Sequence, residues 1–225
     1  MKIAVLGTGG VGKAFASRLT ELGHEVTVGT RNVSTTLEKE GDAGFKSFLA
    51  KNPKVKLATF KEAAAFGEMI INVSKGANTV DVIKAASGEN LNGKVLIDIS
   101  NPLDFSKGMP PSLIPELSNT NSLGEELQRL FPDTKVVKTL NTMWNGLMLN
   151  PALIANGEHI NYMCGNDTAA KEKVMSLLTE FGWKKESVLD LGDITAARAT
   201  EATLPIWLRV YGAKQTGAFN FKIVS

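Results

Sequence analysis

Apolar residues along this chain follow two alternating rhythms. Short runs rich in Val and Ile, the mark of strands buried on both faces, fall at residues 3–6, 26–28, 55–57, 69–73, 95–99, 136–140, 160–164 and 188–191. Between them apolar positions recur every three or four residues, as on one face of a helix. Val11, Phe15, Leu19 and Leu22 form one such stripe, which Gly23 closes. Further along, Ser122 and Glu125 have capping-box spacing ahead of Leu127 and Leu130, and Pro132 stops that helix. A helix over 168–181 ends at Gly182, and a last one begins after Asp193 with a break or kink expected at Pro205. The alternation predicts an α/β fold of Rossmann type, doubly wound about a mostly parallel sheet, with a small C-terminal α/β portion. The long irregular stretch 101–121, which carries Pro102, Pro110, Pro111 and Pro115, reads equally as a lid over a site or as an exposed insertion.

Composition narrows the partners. The chain has 225 residues, with 25 Lys and Arg against 23 Asp and Glu and a net charge of +2, so no global field draws it to nucleic acid or an acidic membrane. Its one cysteine, Cys164, excludes an internal disulfide and a cysteine-based metal centre, in keeping with a cytoplasmic location. The apolar run after Lys2 is shorter than a secretory signal requires, and no segment reaches bilayer length. No membrane association and no metal are expected.

Gly7, Gly9 and Gly12 form G-x-G-x-x-G between the first strand and the first helix, where such glycines bind a dinucleotide. The first allows a tight turn and the second a close approach of backbone to pyrophosphate. The third lets helix and strand pack while the helix N-terminus meets the negative charge. Gly7, Thr8, Gly9, Gly10, Val11 and Gly12 are therefore assigned to the cofactor. Past the second strand the chain reads Gly29-Thr30-Arg31-Asn32, without the carboxylate that holds the ribose hydroxyls of NAD. Arg31 offers a planar fork suited to a phosphate, so NADP is preferred, with Thr30, Arg31 and Asn32 around the extra phosphate.

Ligands in open α/β sheets lie beyond the carboxyl ends of the strands. Three strand exits there combine small polar and apolar groups: Val73, Ser74 and Lys75; Ser100, Asn101 and Pro102; Asn141 and Thr142. All are expected to line the pocket, although any single Ser or Asn could equally serve a turn. Residues 1–144 form the expected NADP-binding domain, and 145–225 a small domain completing the substrate pocket. His24 and His159 each precede a strand and are expected at amino ends, away from the pocket. Cys164 reads as a buried small hydrophobe and Lys75 as a solvated surface lysine, so no catalytic residue is assigned. A dehydrogenase acting on an alcohol or amine needs a positioned proton donor or acceptor. Transfer between two flat redox cofactors asks only that their rings be held together in a dry site.

The segments 7–12, 29–31, 98–102 and 137–142, with Gly182-Trp183, 191–193 and 204–207, resemble the NADPH-dependent reductases of the deazaflavin coenzyme F420. The likeness implies a Rossmann domain binding NADP and a deazaflavin or flavin-like redox partner stacked on the nicotinamide. A homodimer is implied by the same likeness alone. The stretch 139–144 departs from the histidine-containing segment expected of such a reductase. A similar domain is the cytosolic module of six-transmembrane metalloreductases. Two alternatives stay open: a reductase of a small imine or carbonyl, as in pyrroline carboxylate reductases with their all-helical second domain, and a non-catalytic NADP-sensing module.

Overall fold

The computed structural model describes residues 1–38 and 44–224. Its first half runs β1 (Lys2–Leu6), α1 (Gly10–Glu21), β2 (Glu25–Thr30), α2 (Val33–Glu38), α3 (Phe45–Lys51), β3 (Lys56–Thr59), α4 (Phe60–Phe66), β4 (Met69–Asn72), α5 (Thr79–Ala85) and β5 (Val95–Asp98). A short hairpin, β6 (Leu103–Asp104) and β7 (Ser112–Leu113), leads to α6 (Leu123–Leu130) and β8 (Lys135–Thr139). The remainder is α7 (Asn145–Leu149), β9 (Asn161–Gly165), α8 (Thr168–Glu180), β10 (Val188–Asp190), α9 (Ala197–Ala202) and α10 (Leu204–Lys214).

Eight strands form one sheet in the order β10-β9-β8-β5-β4-β1-β2-β3. Alternation along each strand decides what covers each face. Ile3 and Val5 of β1 and Ile71 of β4 join Phe15 and Leu19 of α1, Leu147 of α7 and Leu177 of α8 in one core. Ala4, Leu6 and Ile70 join Ala63 of α4, Ile83 of α5 and Leu127 of α6 in the other. The two cores are what a doubly wound sheet requires.

Local signals are obeyed at the helix ends. Ser122 accepts the N–H of Glu125 at 3.1 Å to open α6, and Asp167 accepts that of Ala170 at 2.7 Å to open α8. Pro205 lies in the first turn of α10, directly after α9 ends, so the expected break is present. The stretch 101–121 is partly ordered: β6 and β7 pair antiparallel, with Leu103 opposite Leu113.

One direction differs from expectation. β9 pairs antiparallel with β8, Val137 facing Gly165 and Thr139 facing Met163. The chain therefore enters β9 at the carboxyl end of β8. β10 follows β9 in parallel, so the last two strands run against the other six.

Candidate functional site

The turn from β1 into α1 is a backbone cradle. Gly7 has φ +136°, a region open to glycine, and a Cβ on Gly12 would lie 2.0 Å from the Gly7 carbonyl oxygen. Helix and turn are thus in backbone contact, as close dinucleotide packing requires. Thr8 is half-buried, whereas Gly9 and Gly10 are exposed, and a Cβ on either would meet nothing within 4 Å. No side chain caps α1 and its first turn holds no acid. Its first N–H groups are left for a ligand or solvent, with the positive end of the helix dipole behind them.

At the exit of β2 the three expected phosphate residues separate in role. Thr30 is buried, its hydroxyl 2.7 Å from that of Thr36. Asn32 accepts the N–H of Thr35 at 3.0 Å and so caps the start of α2. Arg31 alone is exposed without a hydrogen bond or ion pair among the described residues.

Beyond the exits of β4, β5 and β8 lies a cavity of about 410 Å³. Val11, Val73, Ser74, Lys75, Ser100, Asn101 and Asn141 all line it. The hairpin contributes Leu103 and Phe105, and the later chain contributes Met143, Met148, Leu204 and Trp207. Pro102 and Thr142 are not in its wall; both are buried behind it. Three polar atoms here are buried without a partner among the described residues: Asn141 Oδ1, Thr142 Oγ1 and Trp207 Nε1.

Under the polar wall runs a buried network. Ser74 Oγ donates to Asn72 Oδ1 at 2.7 Å, and Asn72 Nδ2 donates to Asp98 Oδ1 at 2.7 Å. Ser100 Oγ donates to the same carboxylate oxygen at 2.7 Å. Lys138 Nζ donates to Asp98 Oδ2 at 2.8 Å and to the Ser100 carbonyl at 2.6 Å, and lies 2.8 Å from Glu201 Oε1. Glu201 also accepts the N–H groups of Leu123 and Gly124 at 2.9 and 3.0 Å, at the start of α6. Asp98 and Lys138 are wholly inaccessible, and Glu201 is 1% exposed. Burial pulls the Lys138 ammonium down, but Asp98 and Glu201 overcome it and hold its pKa above the ordinary value. Sequence reading missed this cluster. Its one signal was a lysine inside the apolar run of a central strand, which cannot stay charged without buried counter-ions.

His24 lies at the amino end of β2 as expected, its Nε2 2.8 Å from Glu180. His159 does not. Because β9 is reversed, the residue before it lies on the carboxyl-end side of the six parallel strands. It is buried and engaged, with Nε2 2.9 Å from the Pro151 carbonyl and Nδ1 2.8 Å from Asn220 Nδ2, and it is absent from the cavity wall. Cys164 is buried, and burial pushes its thiol up to about 12. Among the described residues no cluster of His, Cys, Asp or Glu could hold a metal ion, and no helix is long and apolar enough to cross a membrane.

The family profile described as NADP oxidoreductase, coenzyme F420-dependent, matches residues 2–102. The F420-dependent NADP reductase of Methanothermobacter marburgensis is 31% identical over 221 residues, which cover 93% of this chain and 92% of that protein. A crystal structure from Arthrobacter sp. FB24, assigned provisionally as an F420-dependent NADP reductase, matches with a TM-score of 0.96 and 52% identity over 100% of both chains. The metalloreductase STEAP3 of Rattus norvegicus is 30% identical over 212 residues, 92% of this chain. The chain spans only 38% of that relative's length.

Proposed function

Because the chain belongs to the family of coenzyme F420-dependent NADP oxidoreductases, we propose that it transfers hydride between NADP(H) and a flat redox cofactor, a deazaflavin or flavin-like ring. The residues fit the dinucleotide. The uncapped start of α1 and the side-chain-free surface at Gly9 and Gly10 suit a pyrophosphate. Arg31, unengaged by any described residue, suits the 2′-phosphate. The nicotinamide then extends past β1 toward β4, β5 and β8, where Ser74, Ser100, Asn101 and Asn141 supply polar groups. NADPH, when bound, supplies the hydride. The protein's part is to hold two rings face to face and keep water out.

The observation that carries the choice of acceptor is the make-up of the cavity. Met143, Met148, Leu204 and Trp207 give the cavity apolar lining, and among the described residues Lys75 is the only lining residue that ionises. It is exposed. A substrate needing a positioned acid or base finds none among these residues, whereas a flat ring finds apolar surfaces. Residues 145–225 complete this pocket through Met148, Leu204 and Trp207.

Steady-state oxidation of NADPH against a panel of deazaflavins and flavins tests the proposal. Turnover with at least one of them, saturable in both substrates, is expected. Background rates with every acceptor, beside tight NADPH binding, would favour a sensor without catalysis.

A further inference from the structure

We propose that Asn141 reads the carboxamide of the nicotinamide, its side-chain oxygen accepting the amide N–H. This rests on the NADP reading above and extends it to one atom. The residue before it, Leu140, has φ +60°, a conformation that costs a non-glycine residue about 1–2 kcal/mol. Such strain persists only where neighbours impose it. Here the N–H of Leu140 donates to Asn161 Oδ1 at 3.1 Å, and Asn161 Nδ2 donates to Thr139 Oγ1 at 3.0 Å. The kink at the end of β8 is thereby fixed, and Asn141 is brought against the exit of β5.

There two amides lock together. Asn101 Nδ2 donates to the Asn141 carbonyl at 2.8 Å, and Asn141 Nδ2 donates to Asn101 Oδ1 at 2.9 Å. The first bond fixes which end of the Asn101 side chain is oxygen, and the second then fixes that of Asn141. Asn141 Oδ1 is left over. The residue is 2% exposed and lines the cavity, yet that oxygen has no partner among the described residues. A buried carbonyl without a donor is unfavourable by about 1–3 kcal/mol, which a ligand N–H at this point relieves. The place in the sheet says which ligand group arrives. Pyrophosphate binding at β1 and the 2′-phosphate at β2 leave the exits of β4, β5 and β8 to the nicotinamide end. Its carboxamide is the group there that carries N–H donors. Asn101 acts as a positioning residue for this oxygen.

Equilibrium titrations of the full chain, read by tryptophan fluorescence, test the assignment with NADP⁺, NAD⁺ and the 3-acetylpyridine analogue of NADP⁺, whose methyl group replaces the amide nitrogen. Wild type should prefer the carboxamide over the acetyl form by about tenfold. Asn141→Ala should bind the two about equally, and Asn101→Ala, which frees the amide to turn, should keep only part of the preference. The second variant keeps the test decisive if the first does not fold. Equal binding of both forms by wild type, or the full preference surviving in either variant, overturns the inference. If wild type also fails to prefer NADP⁺ over NAD⁺, the NADP reading falls with it; if that preference is intact, the inference alone falls.

Discussion

At the β1–α1 turn the groove is made of backbone: Gly9 and Gly10 expose peptide groups, α1 has no cap, and Arg31 stands free among the described residues. At the exits of β4, β5 and β8 it is made of side chains, and nearly every polar atom is tied to another before a ligand arrives. The first region is open and drawn from residues 7 to 31. The second is buried and assembled from residues 72 to 201. An anion needs only undirected positive potential and peptide N–H groups, which a turn and a helix end supply. A ring that must sit at a fixed distance from a second ring needs a wall that does not move, and cross-linked side chains supply that.

The sharpest way to break this contrast is to unlock the wall. Lys138→Met strands Asp98 and Glu201 as buried charges, and loss of about 3–5 kcal/mol in urea unfolding is expected. Removing all three charges together, as D98N, K138M and E201Q, should recover much of that loss. Because the Lys138 pKa lies above its ordinary 10.5 in the folded state, its contribution is complete below that pH and is lost as pH rises through the folded value. The gap between wild type and Lys138→Met should therefore not shrink as pH rises through neutral, where the stranded carboxyls of the variant ionise, and should close only in strong alkali. A gap that closes as pH rises from 6 to 8 would contradict the ion pairs.

On the open side, Arg31→Ala should leave stability alone and weaken binding of NADP⁺ but not NAD⁺, by about 1.5–3 kcal/mol in calorimetry. Unchanged discrimination would remove Arg31 from the site. Gly12→Ala places a methyl 2.0 Å from the Gly7 carbonyl. It should lower stability by about 1–3 kcal/mol and also weaken both dinucleotides, since turn and helix must part. The smallest effect expected is none at all. With its thiol pushed to about 12 by burial, Cys164 should resist a disulfide reagent at pH 8 in native protein and react at once in denaturant. Rapid native labelling would show that the buried region opens.

The same contrast explains what could be read without coordinates. The glycine cradle, the α1 stripe, the Ser122 cap and the break at Pro205 depend on neighbours a few residues apart, so spacing alone reveals them. The exits carrying Ser74, Ser100 and Asn141 followed from strand order and one rule about where ligands lie. Lys138 was hidden because its partners, Asp98 and Glu201, are 40 and 63 positions away. Within the run 136–140 it resembled an ordinary polar interruption. The reversal of β9 was hidden for another reason: an apolar run has the same period in either direction, so nothing in residues 160–164 states which way the strand points. That ambiguity misplaced His159. The side chains of Thr30 and Asn32 also engage Thr36 and the start of α2, contacts that composition does not reveal.

The backward course of β9 bears on how the chain can be handled at the bench. It places the lead-in to β9 at the ligand-side rim, where Asn220 bonds His159 and the carbonyl of Ile160. Gly217 packs against the Trp144 indole and Phe219 stacks on Trp207 of the cavity wall. A change at Phe219 would therefore reach the wall of the groove through Trp207. An affinity tag fused ahead of Met1, at the opposite rim, would leave it clear.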